Sequence, residues 1–187
     1  MGSAMLSGWL ESGIAGGGVH VVEPLGAPAE FDGVADVNVV ADMAALPTDL
    51  NPEVVVFAVK PQQMDDVALG YQKYVGAETA FLSIAAGKDI AYFQSKLGDG
   101  AAIVRAMPNT PAAIGQGITV CCSNAATSDD QRELCRSLLA ATGEAVVVDD
   151  EGLIDAVTAV SGGGPAYVFL LIECLAAAGV AAGLPVD

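Results

Sequence analysis

Apolar residues fall in two rhythms along this chain. Short runs rich in apolar residues occur at Val19–Val22, Val37–Val40, Glu53–Val59, Ala80–Ile84, Ala101–Val104, Gly117–Cys122 and Glu144–Val148. Runs of that length, bounded by Gly, Pro or polar residues, suit strands covered on both faces, as in a parallel sheet. Between them the spacing turns helical. Met1, Met5, Leu6 and Trp9 share a face of a helix that Ser12-Gly13 closes. Met64, Val67, Ala68 and Tyr71 form the stripe of a helix from about 62 to 74, with Pro61 at its first turn. Asp42 caps a short helix through Leu46, and Asp89 opens one to about Leu97. Ser128-Asp129-Asp130-Gln131 caps a helix to Thr142, with Leu134, Leu138 and Leu139 inward. The alternation predicts an α/β fold. From Asp149 the character changes: an apolar stretch at Leu153–Val160 is interrupted by Ser161-Gly162-Gly163-Gly164-Pro165. A long apolar helix then runs from Ala166 to near Gly183, and no further strand follows.

Three successive strands end in unusual loops, Lys60-Pro61-Gln62, Ala85-Ala86-Gly87 and Met107-Pro108-Asn109-Thr110-Pro111. A parallel sheet gathers such loops on one edge, where ligands bind. In the last, two prolines fix the backbone around an amide and a hydroxyl. Gly2, in the first turn of the first helix, permits close helix–strand packing. Glu23 follows that helix start by about 20 residues, where a dinucleotide fold places its ribose-reading acid; the alternative is a surface glutamate before the turn at Pro24. Gly162, Gly163 and Gly164 offer backbone amides to an anion, or form a hinge or flexible turn between two helices.

A length of 187 residues suits one domain, or one with part of a second. A 53% hydrophobic fraction supplies a core. The net charge of −16, with seven Lys and Arg in all, argues against nucleic acid. Lys60 and Arg105 are read as lying at strand ends, where they offset an anionic ligand or cap the strand; a structural role is favoured for Arg105. Cys121, Cys122, Cys135 and Cys174 form no C-x-x-C pair and no cluster with His20, so neither disulfide nor metal is expected and the thiols suit the cytoplasm. His20 reads as a packed or edge residue. No signal-peptide pattern is seen. Ala166–Ala182, which carries Glu173, falls short of a membrane span and reads as an interface helix.

Four segments in register carry a resemblance: Ala58-Val59-Lys60-Pro61, Ser83-Ile84-Ala85-Ala86-Gly87, Arg105-Ala106-Met107-Pro108-Asn109-Thr110-Pro111 and Ser161-Gly162-Gly163-Gly164-Pro165-Ala166-Tyr167. Together they resemble pyrroline-5-carboxylate reductase, the last enzyme of proline biosynthesis, over essentially the whole chain. The resemblance implies a Rossmann-like nucleotide-binding domain over residues 1–150, then the start of an all-helical dimerisation domain over 151–187. It implies NADPH or NADH as hydride donor, 1-pyrroline-5-carboxylate as substrate, and a homodimer or higher homo-oligomer. It places cofactor contacts at Met1, Gly2, Glu23, Pro24, Asp42, Ala58, Val59, Lys60, Pro61, Ile84, Ala85 and Ala86, with Asn109 and Thr110 toward the nicotinamide. Glu151 matches a position near the substrate, where it orders the ring nitrogen directly or through water. No nucleophile is implied.

This sequence departs from the family pattern at Gly163, where a serine is usual, and the missing hydroxyl is expected to loosen the hinge. Of the glycine fingerprint it shows Gly2 alone. The family's first strand is expected before Met1 and its later substrate loop after Asp187, so these residues by themselves are expected not to turn over. Two other readings stand beside this one. A β-hydroxyacid dehydrogenase relative would need a lysine on the interdomain helix, and Ala166–Val180 has none. A non-enzymatic nucleotide- or partner-binding module would bind cofactor without reducing anything.

Overall fold

All seven apolar runs become strands. The computed structural model describes residues 1–186; Asp187, the last residue of the expected second unit, lies outside them. β1 (Val19–Val22) pairs in parallel with β2 (Val37–Val40). β3 (Val54–Phe57), β4 (Ala80–Ser83), β5 (Ala102–Met107), β6 (Gly117–Ser123) and β7 (Gly143–Val147) form a second sheet in that order. Its pairs are parallel except β5–β6, which is antiparallel. A parallel crossover needs a dozen or so residues, usually a helix. The link from β5 to β6 holds one 3-10 turn, Thr110–Ile114, closed by Gly115 at φ 68°, so the chain doubles back. Among the described residues no ladder joins β1 to β3. The two sheets meet through side chains, with Val19, Val21, Val54 and Val56 packed on one cluster.

Both faces of the larger sheet are covered, which explains the apolar-rich runs. Ala80, Leu82, Val104, Ala106 and Cys121 face α1 (Gly2–Ser12) and α4 (Asp129–Ala140), whose Met5, Leu6, Trp9, Cys135 and Leu139 fill that side. The alternate residues Phe57, Phe81, Ile103 and Cys122 face α2 (Met64–Ala68), α3 (Ile90–Leu97) and α5 (Leu153–Val157). Burial of each large apolar side chain contributes about 2 kcal/mol. The expected caps form: Gly13 at φ 70°, Asp42 on Ala44 N–H, Asp89 on Tyr92 N–H, and a reciprocal Ser128–Gln131 box. Met1 leaves the α1 stripe and is 43% exposed.

Three expectations need correction. The helix from 62 to 74 is α-helical only at α2; Pro61–Gln63 and Leu69–Tyr74 are 3-10 turns. Gly70 interrupts it and lets Met43 close in, so that an added Cβ would lie 3.0 Å from the Met43 methyl. Ser161–Pro165 does not interrupt the last helix. α5 passes through a π turn, Thr158–Gly162, into α6 (Gly164–Ala181), with Gly163 N–H donating to Thr158 C=O. The π turn absorbs the extra residue, and Pro165 costs little at α6's first turn. The length argument against a membrane span therefore fails: Leu153–Ala181 is 29 residues, long and apolar enough to cross by length and composition. Phe169, Leu170, Leu171, Ile172 and Leu175 on it are exposed.

Candidate active site

α1 starts against the end of β3. A Cβ on Gly2 would lie 3.2 Å from Ala58 Cβ, so only a very small residue permits this approach. No side chain caps α1 and its first turn has no acid. Unsatisfied amides and the helix dipole then favour an anion there. Ala58 and Ala86 are exposed and small, leaving room above the strand ends. Val59 and Pro61 are half-buried, and Lys60 is exposed in extended backbone before the 3-10 turn. Ile84 N–H donates to Phe57 C=O, which joins the β3 and β4 loops. Ala85 differs from its neighbours in being buried, and its N–H donates to Ser83 Oγ.

Glu23 and Asp42 follow neighbouring parallel strands, since Val22 lies opposite Val40. Glu23 Oε1 accepts from Leu25 N–H at 3.1 Å and so shapes the turn at Pro24, leaving Oε2 for another donor. Asp42 spends Oδ1 on the Ala44 cap.

The proline loop is tied down more tightly than its sequence suggests. Asn109 Oδ1 accepts from Ile118 N–H at 3.0 Å, and its amide donates to Ser161 Oγ at 3.2 Å. Thr110 is exposed beside it. Met107 reaches the π turn, its sulfur 3.6 Å from where a Gly162 Cβ would sit. Gly162, Gly163 and Gly164 are half-buried rather than open at a helix start. A Cβ on Gly163 would meet the Tyr167 hydroxyl at 2.7 Å, so the tyrosine occupies the space a side chain at 163 would take.

Arg105 is not at a strand end. It lies inside β5, its side chain 4% exposed, and Nη1 donates to Glu151 Oε1 at 3.0 Å while Nη2 donates to Asp155 Oδ1 at 2.7 Å. Burial pulls its pKa down, but hydrogen bonds to Asp155 and Glu151 outweigh this and raise it, so the guanidinium stays charged. Glu151 Oε1 also accepts from Ile90 N–H at 2.8 Å. Opposite Arg105 on β6, burial pushes the Cys122 thiol up to about 11, so it is no nucleophile at neutral pH. His20 is exposed and its Nδ1 lies 3.1 Å from the Asn38 amide. Among the described residues no group of three or more His, Cys, Asp and Glu could hold a metal. Sequence reasoning missed Asp155, Ser161 and Ile90 as partners. One signal was present: Glu151 and Asp155 are four apart, hence neighbours on one helical face.

A family model described as pyrroline-5-carboxylate reductase dimerisation matches residues 151–187. The pyrroline-5-carboxylate reductase of Pseudomonas aeruginosa is 39% identical over 186 residues, covering 98% of this chain and 67% of that relative. The Mycobacterium tuberculosis enzyme of the same name is 39% identical over 190 residues, covering 98% and 63%. The chain thus spans about two thirds of the length of these relatives. Among solved structures, a pyrroline-5-carboxylate reductase from Coxiella burnetii superposes with a TM-score of 0.81 at 30% identity, covering 98% of this chain and 68% of that one. Plasmodium falciparum pyrroline carboxylate reductase with NADP bound gives 0.79 at 29%, covering 99% and 67%. Prephenate dehydrogenase from Aquifex aeolicus, at 15% identity and a TM-score of 0.54 over 74% of this chain and 54% of that one, shares the fold alone.

Proposed function

This chain belongs to the pyrroline-5-carboxylate reductase family, and from that membership we propose that the protein reduces 1-pyrroline-5-carboxylate to L-proline with NADPH or NADH. One observation carries the cofactor half of this reading: α1 begins uncapped beside Ala58, held there by Gly2, in a cradle that any larger side chain would fill. Met1 and Gly2 would hold the pyrophosphate, Glu23, Pro24 and Asp42 the adenosine ribose side. Ala58–Pro61 and Ile84–Ala86 would line the cofactor, with Asn109 and Thr110 at the nicotinamide end. Bound there, the reduced nicotinamide supplies the hydride.

The chain's own part is placement and charge. Reduction is easiest when the imine nitrogen is protonated, and Glu151, with Oε2 unpaired among the described residues, orders that nitrogen directly or through water. The substrate carboxylate is assigned to the neighbourhood of Gly162, Gly163 and Gly164, which are half-buried beside Met107 and Asn109, although the Gly163 N–H is itself given to Thr158 C=O. Residues 1–150 form the nucleotide domain in this reading. Residues 151–187 belong to a dimerisation domain, and the exposed face of α6 pairs with a second copy. The working compartment is the cytoplasm.

The test is substrate-dependent oxidation of NADPH and of NADH, with L-proline identified as product, by protein made from the complete reading frame that contains these residues. Cofactor binding without oxidation would sink the reductase reading and favour a binding module. Glu23 bears on cofactor choice. A carboxylate repels a 2′-phosphate by about 1 kcal/mol at contact distance in water. Glu23→Ser should therefore raise the NADPH/NADH ratio of kcat/KM about fivefold. An unchanged ratio would mean that Glu23 serves only its own turn.

A further inference from the structure

We propose that Arg105 is a positioning residue: its guanidinium fork, braced on Asp155, sets the rotamer of Glu151 and thereby ties the nucleotide loops to the segment that meets the substrate. The inference rests on the reading of Glu151 as a substrate-ordering group.

Three observations carry it. The first is the mismatch of Arg105 with its surroundings. Ile103 and Met107 share its face of β5 and both are buried in an apolar cluster. Arg105 is almost as enclosed, and its Nε is buried without a hydrogen-bond partner. Stability alone does not call for a charge here, because well-packed apolar residues commonly replace buried ion pairs at no loss. The second is the division of labour between the two carboxylates. Glu151 takes Nη1 and Asp155 takes Nη2, so the planar fork cannot rotate without giving up one of them. Asp155 is 75% exposed, and among the described residues Arg105 is the hydrogen-bond partner of its carboxylate. The third is the shared acceptor. Glu151 Oε1 receives both Arg105 and the Ile90 amide, four residues beyond Ala86. Filling Oε1 twice leaves Oε2 without a partner among the described residues and ties the segment at 151 to the start of α3.

Arg105→Met should therefore leave the protein folded, raise KM for pyrroline-5-carboxylate about tenfold, and change nicotinamide affinity less than twofold. The Ile90 amide should exchange with solvent at least tenfold faster, as read by NMR, because its acceptor is no longer held. Arg105→Lys keeps the charge but not the fork, and should recover only part of either effect. Asp155→Ala removes only the brace and should give the same signs, smaller. It stands in for Arg105→Met if that variant fails to fold. Unchanged Ile90 protection in Arg105→Met or Asp155→Ala, or equal loss of substrate and nicotinamide affinity, would overturn the proposal. If the parent protein reduces no pyrroline-5-carboxylate, the reductase reading fails, while the Ile90 exchange still judges whether Arg105 holds Glu151.

Discussion

Gly143→Ala should lower the melting temperature by about 10 °C, the largest single-residue effect expected in this chain. Gly143 opens β7 at φ 141°, a region that side chains rarely adopt, and it lies opposite Gly117 where β6 and β7 begin to pair. A Cβ there would stand 2.0 Å from Gly117 C=O oxygen and 2.6 Å from its nitrogen. No flexible side chain lies in the way to yield; backbone must move, and with it the start of both strands. Strain and overpacking together cost on the order of 3–4 kcal/mol, against a total stability of about 5–15 kcal/mol for a domain. Gly76, with ordinary backbone and nothing within 4 Å of an added Cβ, is the control, and Gly76→Ala should melt within about 2 °C of the parent. Equal melting of the two variants would show that the β6–β7 contact can spread at little cost.

Removing both carboxylates that face Arg105 should be the next most damaging change. In Glu151→Ala with Asp155→Ala the guanidinium stays enclosed with no counter-charge. A stranded charge of this kind costs about 3–5 kcal/mol when fully enclosed; here about 2–3 kcal/mol is expected, because Glu151 and Asp155 open a route to water as they leave. The opposite truncation, Arg105→Met, releases two carboxylates that rehydrate and should cost less than about 1 kcal/mol. Combining all three substitutions should restore most of the stability lost by the double variant, a non-additivity that urea unfolding measures directly. A triple variant no more stable than the double would mean that Glu151 and Asp155 act on the fold by some route other than Arg105.

The parts of this structure that were legible in the sequence are those that local pattern dictates. The double-sided burial of the large sheet shows in the apolar-rich runs at Val54, Ala80 and Ala102, and the caps at Asp42, Asp89 and Ser128 show in residue type. What the sequence hid is set by partners far along the chain. β6 has the same composition whichever way it runs, and its direction depends on the shortness of the link through Gly115. Ser161-Gly162-Gly163-Gly164-Pro165 has every mark of a break, yet Met107 and Asn109 pack against it and the helix continues through a wide turn. Arg105 looked like a strand-end cation because its two counter-charges lie 46 and 50 residues later. The motif-bearing loops show in residue type, but the anchoring of Asn109 on both Ile118 and Ser161 depends on partners that only the folded chain brings together.

Trp9 has its own consequence for how the chain is made. Its indole N–H donates to Leu138 C=O at 2.8 Å, across 129 residues, and it is the only tryptophan. At about 5–20 residues per second of translation, α1 waits roughly 6 to 26 seconds for α4 to be synthesised. β3, β4 and β5 need only neighbours a few tens of residues away, so they can pair during that wait, whereas the α1 face closes through long loops and therefore late. Trp9 emission then reports the closing event rather than the first collapse, and in refolding it should lag behind the far-ultraviolet signal of the sheet.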